Sequence, residues 1–138
     1  MKTPVVELKL PIIPNMELIA TQTAEVIARH MNLTDEQSSE ISMAIIEACI
    51  NAFEHSQAEN NVFIHFIIQD DSLIIKVIDQ GIGFDKTKIA IPKIENKIGT
   101  DERKRGWGLQ LIKELMDSVE FESNEKGTTV TMKKKLNK

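Results

Sequence analysis

The chain of 138 residues carries 17 Lys and Arg against 21 Asp and Glu, a net charge of −4, and its length fits one domain with a self-standing core. The acidic balance, with only Trp107 and five Phe as aromatics, excludes a nucleic-acid surface, which needs a basic field. No window approaches the roughly 18 apolar residues of a membrane span, the N-terminal apolar run is too short for a signal peptide, and the single Cys49 forms no internal disulfide, so the reading is a cytoplasmic protein without membrane contact.

Val5 to Leu10 alternates apolar and charged side chains and stops at Pro11 and Pro14, the pattern of a short strand. A helix follows from near Asn15, with Ile19, Val26, Ile27 and Met31 at helical spacing until Asn32 and Leu33 interrupt it. Thr34 and Gln37 have the spacing of a capping box, which opens a second helix with an apolar stripe of Ile41, Ala44, Ile45, Ala48 and Cys49 running to about Ser56. Two β-rich runs come next, Val62 to Ile68 and Leu73 to Ile78, joined by a hairpin turn at Gln69-Asp70-Asp71-Ser72, and their nearly continuous apolar character marks central strands. Residues 85–105 lack periodicity and hold seven basic against four acidic side chains; a third helix starts near Gly106 and ends near Asp117. Val119 to Ser123 and Thr128 to Lys135 close the chain as a second hairpin. The fold class is α+β: a two-layer sandwich of a mixed, about five-stranded sheet covered on one face by three helices.

Three segments can carry chemistry. Glu47, Asn51 and His55 are spaced four apart and share one helix face, where a carboxylate and a carboxamide can hold hydrated Mg²⁺ and orient a hydroxyl; the same spacing suits a solvated face. Asp79 ends a strand and is followed by Gly81 and Gly83, an acid able to accept from an exocyclic amine beside a backbone open to close approach, although D-x-G-x-G also suits an ordinary turn. Gly106, Trp107 and Gly108 open the third helix behind Lys104 and Arg105, a place where anions bind, and the positive stretch before it fits either a triphosphate lid or a solvated loop. Cys49, at the edge of an apolar stripe, reads as packing.

The order Glu47-Ala-Cys-Ile-Asn51-Ala-Phe-Glu-His55, Asp79-x-Gly81-x-Gly83, Gly106-x-Gly108-Leu109 and Gly127-Thr128-Thr129 resembles the N, G1, G2 and G3 boxes of the GHKL ATPases, over about residues 5–135. Among them the chain looks most like the anti-sigma factor serine/threonine kinases: it has the E-A-x-x-N-A-x-x-H helix, and its Leu115-Met116-Asp117-Ser118-Val119-Glu120-Phe121 is similar to theirs. The resemblance implies a histidine-kinase-like ATP-binding domain over residues 1–138 with a mobile ATP lid at about 85–105. It implies ATP and Mg²⁺ as cofactors, a sigma factor and a small anti-anti-sigma substrate as partners, and a homodimer. It makes Glu47 the general base, Asn51 the Mg²⁺ ligand and His55 its supporting neighbour. Asp79, helped by Thr129, reads the adenine amine; Gly81 and Gly83 admit the nucleotide; Gly106, Gly108 and Leu109 hold phosphates, with Lys104 or Arg105 adding charge. The alternative within the same fold is an ATP-binding interaction switch that transfers no phosphate.

Overall fold

The computed structural model describes residues 3–55, 61–79, 101–124 and 127–136. Its elements run β1 (Val5–Pro11), α1 (Glu17–His30), α2 (Asp35–His55), β2 (Asn61–Ile68), β3 (Ser72–Asp79), α3 (Asp101–Leu115), β4 (Ser118–Asn124) and β5 (Gly127–Lys135). The strands form one sheet in the order β1-β2-β3-β5-β4.

Local chemistry sets the junctions. Asn32 takes a left-handed φ of 60° after α1, the Asn32 N–H donates to the Arg29 carbonyl at 3.2 Å and the Leu33 N–H to the Ala28 carbonyl at 3.0 Å. That is a Schellman ending with asparagine in the place glycine more often takes, since both tolerate the left-handed region. Thr34 then caps α2: its Oγ1 accepts from the Gln37 N–H at 3.0 Å, and its own N–H donates to Gln37 Oε1 at 3.1 Å. The capping box is therefore formed as its spacing predicts. Gln37 Nε2 also donates to the Lys135 carbonyl at 2.9 Å, which fastens the start of α2 to the end of β5.

All four strand pairings are antiparallel, so the sheet is not the mixed one expected. The cause is the return hairpin. After α3, β4 does run in the direction of β3, but β5 folds back from it and inserts between the two. The third helix also begins at Asp101, ahead of the expected start near Gly106, and ends at Leu115.

Alternation along the interior strands gives the sheet one buried face, with Val62, Ile64, Phe66, Leu73, Ile75, Val77, Val130 and Met132 against α2. Ile41, Ala44, Ile45 and Ala48 answer from the helix, and Ile112 and Met116 from the α3 side. Lys134 is an exception in this face. Its Nζ donates to Glu40 Oε1 of α2 at 2.9 Å and to the Leu115 carbonyl, so an ammonium sits at the C-terminal end of α3, where the helix dipole favours it. Among the described residues, no helix is long and apolar enough to cross a membrane.

Cys49 is fully buried in this core, and its thiol pKa is pushed up to about 12 from 9.0, first by burial and then by the nearby Glu17 carboxylate. The thiol is packing material, as expected. A raised thiol pKa means that the folded protein keeps a proton the unfolded chain releases, so this contribution to stability is full below pH 9.0 and is lost as pH rises toward about 12. The expected outcome is a steeper alkaline loss of unfolding free energy in the parent than in Cys49→Ala, followed by urea titration; equal slopes would contradict the burial.

Candidate functional site

The end of the sheet where β3 stops carries a pocket. Its floor is two cross-strand rows that follow from the register. Asp79 of β3 faces Thr128 of β5, which faces Ser123 of β4; two residues further in, Val77 faces Val130, which faces Phe121. Val77, Asp79, Phe121, Thr128 and Val130 line the pocket from the sheet, and Ala48, Asn51, Ala52 and Leu109 line it from α2 and α3. The empty space, its open mouth included, is about 290 Å³. A polar row and an apolar row side by side suit a flat heterocycle with one hydrogen-bonding edge.

Asp79 is only 4% exposed, as is Thr128 beside it. Thr128 Oγ1 lies 3.2 Å from Ser123 Oγ. Thr129, the residue expected to help Asp79, is opposite Ile78 and on the other face of the sheet. The correction was available from period two. Val130 and Met132 face the core, so 128 shares their face and 129 does not. Phe121 was missed for another reason: nothing in the β4 sequence alone says which strand it will border.

Glu47 and Asn51 lie along the flank of α2 that meets α3. A Cβ placed on Gly108 would come within 2.5 Å of Glu47 Oε1 and 2.7 Å of Asn51 Nδ2. The missing side chain is what lets a carboxylate and a carboxamide stand together against the helix. Asn51 is 6% exposed and Glu47 is half-buried. Gly108 is buried and Leu109 half-buried, and both fall inside α3. Gly106, expected at the helix start with its N–H free, lies in the helix as well, because α3 begins at Asp101. Lys104 and Arg105 belong to the same helix rather than to a loop, and their side chains, like that of His55 at the end of α2, lie outside the described residues. Gly81, Gly83 and the 85–100 part of the expected lid also lie outside them.

The structure thus brings Asn51, Asp79 and Leu109 to one pocket, sets Glu47 and Gly108 against Asn51 at its flank, and leaves Thr129 away from it.

Comparison with known proteins points to one family. The model of the histidine kinase-like ATPase domain matches residues 15–134. The serine-protein kinase RsbW of Bacillus velezensis is 33% identical over 96% of this chain and 86% of its own. The anti-sigma F factor of Clostridium acetobutylicum is 32% identical over 94% of this chain and 92% of its own. Among solved structures, the RsbU and RsbW domains of a Mycobacterium tuberculosis protein superpose with a TM-score of 0.72 at 19% identity, covering 99% of this chain and 33% of that one.

The contact at Gly108 makes a prediction that separates fold from site. Glu47 Oε1 and Asn51 Nδ2 are the ends of flexible side chains and can move, while Ala is the better helix former by about 1 kcal/mol. Gly108→Ala is expected to keep or slightly raise the unfolding free energy yet weaken binding of a fluorescent ATP analogue about tenfold or more. Undiminished binding would show that Glu47 and Asn51 do not need their observed positions.

Proposed function

Since the chain belongs to the histidine kinase-like ATPase family, we propose that it is an ATP-dependent serine/threonine protein kinase of the anti-sigma type, which phosphorylates a small anti-anti-sigma protein and sequesters a sigma factor. The observation that carries the reading is the Glu47 and Asn51 pair at the α2 and α3 seam, flanking a pocket whose sheet side ends in the buried Asp79. Relatives named serine-protein kinase RsbW and anti-sigma F factor, matched over nearly the whole chain, support the same reading.

In this account the adenine enters between the apolar row of Val77, Val130 and Phe121 and the alanines of α2, and Asp79 accepts from its exocyclic amine. Gly81 and Gly83 would admit the nucleotide, and Gly106, Gly108 and Leu109 with Lys104 or Arg105 would border its phosphates, as the family resemblance implies. One helical turn apart, Glu47 turns a carboxylate oxygen and Asn51 its amide nitrogen toward the place a Cβ on Gly108 would fill; a carboxylate with a carboxamide, which also carries an oxygen, is a donor set that fits hydrated Mg²⁺. Asn51 would hold the ion, which when bound supplies charge neutralisation between the phosphates. Glu47 would accept the proton of the attacking hydroxyl, with His55 as its supporting neighbour on the same helix.

The site of action is the cytoplasm. A homodimer belongs to the same proposal. Ile13, Leu18, Ile19 and Val26 leave 42–58% of their surface exposed before and along α1, which supports an apolar face for a second copy.

The test is Glu47→Ala assayed with γ-labelled ATP, Mg²⁺ and proteins of the native lysate. Transfer is expected to vanish while ATP affinity stays within about tenfold, or about 1.4 kcal/mol. Equal transfer by mutant and parent would remove Glu47 as the base. Nucleotide binding with no transfer by either would instead favour an interaction switch.

A further inference from the structure

The row that ends the pocket floor contains a residue that none of the sequence boxes includes. We infer that Ser123 is a positioning residue for base recognition: it fixes the Thr128 hydroxyl beside Asp79 and so helps set preference for a 6-amino purine. The inference rests on the ATP-site reading given above and deepens it.

Three observations carry it. First, register makes Asp79, Thr128 and Ser123 direct cross-strand neighbours in succession, so their side chains share one sheet face. Directly opposed residues have Cβ atoms about 4.5–5.5 Å apart, within reach of a hydroxyl and a carboxylate. Second, Thr128 is almost entirely buried and lines the pocket with Asp79, whereas Ser123 is half-buried and sits on the far side of Thr128, outside the pocket lining. Third, the two hydroxyls are 3.2 Å apart, a hydrogen bond in which either atom can donate.

A hydroxyl has one proton and two acceptor sites, and its rotor settles according to its neighbours. Beside a buried carboxylate, the favoured arrangement is the one in which the Ser123 hydroxyl donates to Thr128 Oγ1. The Thr128 proton is then free to point toward the Asp79 side of the pocket. With its one proton turned to the carboxylate, Thr128 holds Asp79 in place, and Asp79 presents a fixed acceptor to the edge of a purine. A 6-amino group matches the carboxylate, whereas a 6-oxo group sets acceptor against acceptor. Without Ser123 the Thr128 hydroxyl has a competing rotamer, and the edge is read less sharply. Ser123 acts through Thr128 and touches no reacting atom.

The experiment titrates ATP and inosine triphosphate, which carries a 6-oxo group, into the parent, Ser123→Ala and Ser123→Thr. The parent is expected to prefer ATP. Ser123→Ala should weaken ATP about fivefold and inosine triphosphate much less, which narrows the preference, while Ser123→Thr restores it. Thermal unfolding should be the same in all three, since a purely structural role would shift melting and leave the ratio alone. An unchanged ratio in Ser123→Ala, with the parent still preferring ATP, overturns the role of Ser123 and leaves the ATP site standing. A parent that binds neither nucleotide overturns the site reading and this inference together.

Discussion

A missing side chain governs the seam between α2 and α3 beside the pocket. At Gly108 the backbone of α3 lies so close to α2 that even a methyl group would meet Glu47 Oε1 at 2.5 Å and Asn51 Nδ2 at 2.7 Å. Two polar side chains one turn apart can share that flank only because the neighbouring helix offers backbone there and nothing more. The other end of α3 is fixed differently. The Lys134 ammonium bonds the Leu115 carbonyl and pairs with Glu40, so α3, α2 and β5 meet at one charge. Removing either partner of this pair leaves a polar group poorly solvated.

The second constraint is the register of the antiparallel sheet. Because side chains alternate with period two, the face that packs Val77 and Val130 against α2 is the same face that presents Asp79 and Thr128 at the strand ends. Core and pocket are one surface continued past the edge of the apolar helix stripe. A shift of one residue between β3 and β5 would turn Asp79 away and bring Ile78 inward, exchanging a carboxylate for a hydrocarbon. The Thr34 and Gln37 cap contributes at a distance, since Gln37 reaches the Lys135 carbonyl and ties α2 to the strand that carries Thr128.

Much of this was legible in the sequence, and the misses have physical causes. The cap at Thr34, the two hairpins and the buried stripe of α2 depend on neighbours within a few residues, and each formed as its pattern predicts. The pairing of the sheet is non-local: that β5 inserts between β3 and β4 follows from the return of α3, which no short window encodes. The start of α3 at Asp101 was hidden because glycines at 106 and 108 look like helix starts. Thr128 in place of Thr129 was an error of parity that Val130 and Met132 could have prevented. Spacing alone puts Glu47 and Asn51 on one helix face, but what stands opposite them, Gly108, needed the packing of two helices.

The central claim is that this pocket and the pair beside it move a phosphoryl group to a hydroxyl. Phosphoamino-acid analysis of protein labelled from γ-labelled ATP tests it most directly, because the product itself reports the acceptor. The account predicts acid-stable phosphoserine or phosphothreonine on one small partner, absent when Asp79→Asn replaces the parent. Label confined to an acid-labile phosphohistidine, or no transfer by a parent that binds ATP tightly, would contradict it.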